Sequence, residues 1–80
     1  MGNKGNTFNE VADRKGLVGS MKTRFVKYMT IRWGRNESTQ CQSGYADEWA
    51  DRFLGGDEYN MSDSIGQGIL KSIDKSLKEG

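Results

Sequence analysis

The stretch that decides the fold is SGYADEWADRFLGG, residues 43–56. Apolar residues recur here at the three- and four-residue spacing of one helix face, and they are Ala46, Trp49, Ala50, Phe53 and Leu54. Acidic residues precede this face in the first turn, Arg52 lies in the last turn, and a Gly-Gly pair follows. With Ser43 as a candidate N-cap, the segment predicts an amphipathic helix whose two large aromatic residues enter a core.

The N-terminal region contains the start and stop signals of a second helix. Thr7 and Glu10 have the spacing of a capping box, and Gly16 is placed to end the helix in a left-handed conformation. Residues 1–6 are rich in Gly, Asn and Lys, and we expect them to be disordered.

A third helix is predicted near the C-terminus. Isoleucine or leucine recurs at every fourth position over residues 65–77, and Ser62 or Ser64 can cap the helix. Gly66 and Gly68 each lower its stability by about 1 kcal/mol relative to alanine, so its first turn is expected to fray or to start late.

Residues 20–34 allow two interpretations. A helix capped by Ser20 and ended by Gly34 would gather several of the apolar residues on one face. Val26, Ile31 and Trp33 would lie outside that face. A strand over 22–33 suits the β-branched and aromatic residues, but no other segment of the chain offers a partner strand. The sequence therefore favours an all-α fold, a small bundle of three to four short helices forming a single domain over residues 1–80. The alternative is an α+β fold in which residues 22–33 form a strand paired between subunits.

The predicted core of this bundle is small, because 34% of the 80 residues are hydrophobic and 29% are charged. Its members are Phe25, Met29, Trp49, Phe53, Ile69, Ile73 and Leu77. The one cysteine, Cys41, excludes an internal disulfide and fits a reducing compartment. No apolar run approaches the roughly 18–20 residues that span a bilayer, and the N-terminus lacks the apolar region of a signal peptide. We therefore expect a cytoplasmic protein without a membrane segment.

Catalytic chemistry has little support in the sequence. The chain contains no histidine, which is the commonest general base and metal ligand near neutral pH. Cys41 has no imidazole to activate it, and the acidic residues of 47–58 lack the EF-hand spacing. No glycine motif for phosphate binding occurs. The sequence predicts a protein that is not an enzyme, with no catalytic residue, no metal and no cofactor.

Charge is divided unevenly along the chain. Residues 1–35 hold eight basic and two acidic residues, a net +6, and residues 36–80 hold four basic and nine acidic residues, a net −5. These values sum to the overall charge of +1. Either the two halves attract each other within the fold, or one of them presents an electrostatic binding face.

Two surfaces are candidates for such a face. The first is a partner-binding surface, on which carboxylates would engage a basic groove of a partner protein and tyrosines would act as anchors. Its residues are Tyr45, Asp47, Glu48, Asp51, Asp57, Glu58 and Tyr59. The second is a nucleic-acid surface, on which basic residues would contact the phosphates and an aromatic residue would stack on the bases. Its residues are Lys22, Arg24, Lys27, Arg32, Trp33 and Arg35. In both cases the plainer alternative is that the aromatic residues form the core and the charges its solvated edge.

The segment GYADEWADRF, residues 44–53, in a short polar chain without a catalytic motif resembles the small accessory proteins of bacteriophages and prophages. That class acts by stoichiometric binding to host components and includes anti-CRISPR proteins and other inhibitors of host defence. It has no shared motif, so the resemblance assigns no functional residue. It implies a non-enzymatic phage or mobile-element protein that binds and inhibits a host protein complex in the bacterial cytoplasm, for example a nucleic-acid-handling defence complex such as CRISPR-Cas.

Two further expectations concern the partners. A small nucleic-acid-binding regulator that uses residues 22–35 is the alternative function. A homodimer is also expected, through the apolar stripe 65–77, because so thin a core leaves apolar surface to cover.

Overall fold

The computed structural model describes residues 7–34 and 44–79, which form five α-helices and contain no strand. The helices are α1 (Phe8–Lys15), α2 (Gly19–Trp33), α3 (Tyr45–Gly55), α4 (Glu58–Met61) and α5 (Ser64–Glu79). The predicted all-α bundle is confirmed. Residues 22–33 lie within α2, so the strand alternative is wrong. The fifth helix arises from the single turn α4, which the sequence analysis did not predict.

The predicted N-terminal helix has the expected ends. The Thr7 hydroxyl accepts a hydrogen bond from the backbone N–H of Glu10 at 3.1 Å, and the Thr7 N–H donates to the Glu10 carboxylate at 2.8 Å. Gly16 ends α1 in the left-handed region with φ +91°. This capping box satisfies backbone N–H groups that the first turn of a helix leaves unpaired.

Two predicted caps are wrong. α2 begins at Gly19, one residue before Ser20, and no side chain caps it. In α5 the cap is Asp63 rather than Ser62 or Ser64, since its carboxylate accepts a hydrogen bond from the N–H of Gly66 at 2.8 Å. The predicted cap Ser43 of α3 lies outside the described residues, as do residues 1–6 and Cys41.

The core forms where α2 packs against α1, α3 and α5. Aromatic rings fill its centre, and Phe25 contacts both Phe8 and Phe53 edge-on, with ring centroids 6.4 and 5.6 Å apart. Five of the seven predicted core residues are buried, and the other two, Ile69 and Leu77, are partly buried. Fully buried residues that the prediction lacked include Leu17, Tyr28 and Leu70.

Gly66 allows α5 to approach α2 closely. A Cβ atom at this position would lie 2.7 Å from the Tyr28 hydroxyl oxygen and 2.9 Å from Ser62 Cβ, which is closer than real Cβ atoms approach. A glycine that was expected to weaken the first turn of α5 is therefore required by the packing.

In the described ranges, no helix combines the length and the apolar character that crossing a bilayer requires.

Candidate partner-binding surfaces

The acidic residues of α3 lie together on its outer side. The side chains of Asp47, Glu48 and Asp51 are between 40% and 61% exposed, and Asp57 is exposed just after the helix. The opposite side of α3 places its aromatic residues in the core. Four of the predicted partner-binding carboxylates therefore remain accessible, three on α3 and one two residues after its end.

Most of these carboxylates have a basic partner within the chain. Asp47 Oδ1 lies 2.7 Å from Arg14 Nη2, and Asp51 Oδ1 lies 3.0 Å from Lys15 Nζ, so α1 neutralises part of the α3 surface. Glu48 pairs with Arg52 one turn away, at 2.9 Å. The two halves of the charge pattern thus attract each other in the fold.

Glu58 does not lie on the acidic surface, where it was predicted. It is 5% exposed, and its carboxylate accepts a hydrogen bond from Arg24 Nη1 at 2.8 Å. Arg24 Nε donates to Asp74 Oδ1 at 2.5 Å, and the Tyr59 hydroxyl donates to the same Asp74 carboxylate. Because an unpaired buried carboxylate is costly, Glu58 needs Arg24, and this network joins α2, α4 and α5. Glu58 is interior and structural.

This network shifts two pKa values. Burial lowers the pKa of Arg24, but the hydrogen bonds and charges of Asp74 and Glu58 outweigh burial and raise that pKa above its ordinary value. The pKa of Tyr59 is also raised, first by burial and then by its hydrogen bond to Asp74. Tyr59 therefore holds its proton more firmly than a free tyrosine does.

Tyr45, the other predicted anchor, packs inward. Its ring lies 4.8 Å from the Trp33 ring and 6.4 Å from the Phe8 ring, between centroids. Trp33 in turn contacts Trp49 and Tyr28. The three residues that were predicted to meet a partner through an exposed ring are therefore partly buried against the core, and they are Trp33, Tyr45 and Tyr59.

The predicted nucleic-acid residues do not form one surface. Arg24 belongs to the partly buried network with Glu58 and Asp74, Lys22 pairs with Asp13 at 2.7 Å, and Arg32 pairs with Asp63 at 2.9 Å. Arg35 lies outside the described residues. Lys27 is the member that stays exposed without an ion pair to any described residue.

A groove between α2 and α5 was not predicted from the sequence. It encloses about 370 Å³ and is lined by Val26, Lys27, Thr30, Ile31, Ser72, Ile73 and Ser76. A smaller recess of about 280 Å³ adjoins it at Val26 and Lys27. One signal could have found the groove, since Val26 and Ile31 fall outside the apolar face of the predicted helix.

Among the described residues, no group of three or more acidic or cysteine side chains is arranged to hold a metal ion. Comparison of the chain with protein-family models, curated proteins and solved structures finds no match. A function must therefore be argued from the chain's own surfaces.

Proposed function

We propose that the chain is a non-enzymatic protein that binds a host protein complex and inhibits it. The observation that carries the proposal is the set of carboxylates held at the surface by α3, namely Asp47, Glu48 and Asp51, with Asp57 also exposed just beyond the helix. The aromatic side of the same helix is fixed in the core. A rigid helix presents its charged groups in a defined geometry, which favours selective recognition.

The ion pairs on this surface are compatible with binding. Exposed pairs such as Arg14–Asp47 contribute about 0–1 kcal/mol to stability, so exchanging Arg14 for a basic residue of a partner costs little. A partner with a basic groove would gain association rate from the carboxylates. Such a groove normally receives nucleic-acid phosphates, so occupying it would inhibit the partner.

The biological setting is part of the proposal and rests on the resemblance to phage accessory proteins. The setting is a phage or mobile-element protein in the bacterial cytoplasm, and the target is a nucleic-acid-handling defence complex such as CRISPR-Cas. The nucleic-acid-binding alternative has weaker support, because Arg24 is engaged by two carboxylates of its own chain and Trp33 packs on the core.

A homodimer through the stripe 65–77 also has limited support. Ile65 is 64% exposed, whereas Ile69 and Leu77 pack against the core of their own chain and Ile73 is buried. One strongly exposed residue is a small contribution to a stable interface.

The test uses bacteria with an active CRISPR-Cas system, challenged with a phage that the system targets. Expression of the chain should raise the efficiency of plating. The tagged chain should also capture the defence complex from nuclease-treated lysate. Loss of capture after nuclease treatment would transfer the function to nucleic-acid binding.

Charge-reversed variants locate the surface. Asp47→Lys with Asp51→Lys should abolish both capture and protection of the phage. Asp13→Lys with Glu79→Lys is the matched control, because it makes the same charge change at exposed sites outside α3 and also breaks an ion pair. Circular dichroism establishes that both variants fold. Equal capture by the two variants would remove α3 from the recognition surface.

A further inference from the structure

We propose that the groove between α2 and α5 is a second binding site, which takes an acidic amphipathic segment of a partner protein. The walls of the groove carry the apolar side chains of Val26, Ile31 and Ile73. Ile31 is 56% exposed and lies next to the apolar side chains of Val26 and Ile73 in the groove lining, so an apolar partner side chain could cover it. A volume of about 370 Å³ lies within the range of clefts that bind ligands.

The charges at the groove define the chemistry of its occupant. Lys27 lines the groove on α2, and Lys75 lies beside the lining residue Ser72, three positions along α5. Both lysines are exposed, and neither forms an ion pair within the part of the chain that the structure describes. The groove thus places positive charge on both of its helices.

This feature sets the two lysines apart from most basic residues of the chain. Basic residues that pair with a carboxylate are Arg14, Lys15, Lys22, Arg24, Arg32 and Arg52. An acidic segment can therefore bind Lys27 and Lys75 without displacing an existing partner. Apolar side chains of the same segment would cover Ile31 and the groove walls.

A peptide fits the groove better than a nucleic acid does. Single-stranded nucleic acids bind through aromatic rings on which the bases stack. The groove is lined by aliphatic and hydroxyl side chains, and no aromatic residue contributes to it. The inference goes beyond the function proposed above, because it concerns different helices and a partner of opposite charge.

Fluorescence anisotropy with a labelled synthetic peptide tests the proposal. The probe has about 16 residues, roughly four helical turns, with leucines along one face and glutamates beside them. A scrambled peptide of the same composition has the same charge but no apolar face. We expect the amphipathic probe to bind at least about tenfold more tightly than the scrambled one. Equal affinities would overturn the proposal.

Charge-reversed variants then distinguish binding in the groove from general electrostatic attraction. Lys27→Glu with Lys75→Glu should weaken binding of the probe at least about tenfold. Lys71→Glu with Lys78→Glu is the matched control, because neither residue is three or four positions from Ser72, Ile73 or Ser76 on α5. The control should retain affinity within about threefold at physiological salt. An equal loss in both variants would overturn the site.

Two competing occupants are tested in the same experiments. Tighter binding of a single-stranded oligonucleotide of equal charge than of the peptide would reassign the groove to nucleic acid. A dimer seen by light scattering and lost in the Lys27→Glu, Lys75→Glu variant would make a second copy the occupant. Because Asp47 and Asp51 lie on α3, their variants leave the groove residues in place and should keep the preference for the amphipathic over the scrambled peptide, so the two proposals fail independently.

Discussion

Gly66 and Gly68 lie two positions apart in α5, and the structure predicts opposite effects for the same substitution at each. A Cβ atom at Gly68 meets nothing within 4 Å. A Cβ atom at Gly66 would lie 2.7 Å from the Tyr28 hydroxyl oxygen and 2.9 Å from Ser62 Cβ. Gly68→Ala therefore changes helix propensity alone, whereas Gly66→Ala also requires Tyr28, Ser62 or α5 itself to shift.

The expected changes in stability follow from helix propensity and from the close packing at Gly66. Alanine is favoured over glycine in a helix by about 1 kcal/mol, so Gly68→Ala should raise the melting temperature of a domain of this size by about 4–8 °C. Overpacking a close contact costs about 1–3 kcal/mol. Gly66→Ala should therefore lower the free energy of unfolding by about 0–2 kcal/mol after its own gain in propensity.

Thermal unfolding followed by circular dichroism measures both variants. Adding Tyr28→Phe to Gly66→Ala removes the nearest atom, so the double variant should recover part of the loss. The contact with Ser62 remains and makes the recovery incomplete. A rise in melting temperature for Gly66→Ala equal to that for Gly68→Ala would refute the close packing of α5 on α2.

Three further predictions concern the buried polar groups. Arg24→Met leaves the buried Glu58 carboxylate without its guanidinium and should cost about 3 kcal/mol or more in urea unfolding, whereas Arg14→Met, which breaks an exposed pair, should cost less than about 1 kcal/mol. Because the pKa of Tyr59 is raised, its contribution to stability is complete below the unfolded pKa of about 10 and is lost as pH rises through the folded pKa. An alkaline unfolding titration should therefore be flatter for Tyr59→Phe than for the unmodified chain. The Tyr28 hydroxyl is buried without a hydrogen bond in the described structure, so Tyr28→Phe should leave the melting temperature unchanged or raise it.

The parts of the fold that the sequence predicted are those with local causes. The capping box and the terminal glycine of α1 lie within ten residues of sequence. The apolar stripe of α3 and the glycine that ends it lie within the eleven residues Tyr45–Gly55. α4 was missed because its buried Glu58 depends on Arg24, which is 34 positions away in the chain. The role of Gly66 was missed for the same reason, since it depends on Tyr28 in another helix.

The binding surfaces were harder to predict, because a charge in a sequence does not reveal its partner. Asp47 and Arg14 are 33 positions apart, and nothing local shows that they pair. The pattern did place the α3 carboxylates outside and Trp49 and Phe53 inside, which the structure shows as well, whereas Tyr45 was wrongly expected to face a partner. It could not show that Lys27 keeps no ion pair to any described residue, because that depends on how the other helices pack.

The unevenly distributed charges of the chain pair mostly with each other. Of the seven ion pairs between described residues, five join a basic residue of 7–34 to an acidic residue of 44–79. This pairing separates the two proposed surfaces energetically. A partner that binds the α3 carboxylates must exchange existing ion pairs, which cost little because they are exposed. A partner that binds Lys27 and Lys75 displaces no ion pair, so the full attraction between its carboxylates and the two lysines contributes to binding. Salt should therefore weaken the groove complex more steeply than the α3 complex.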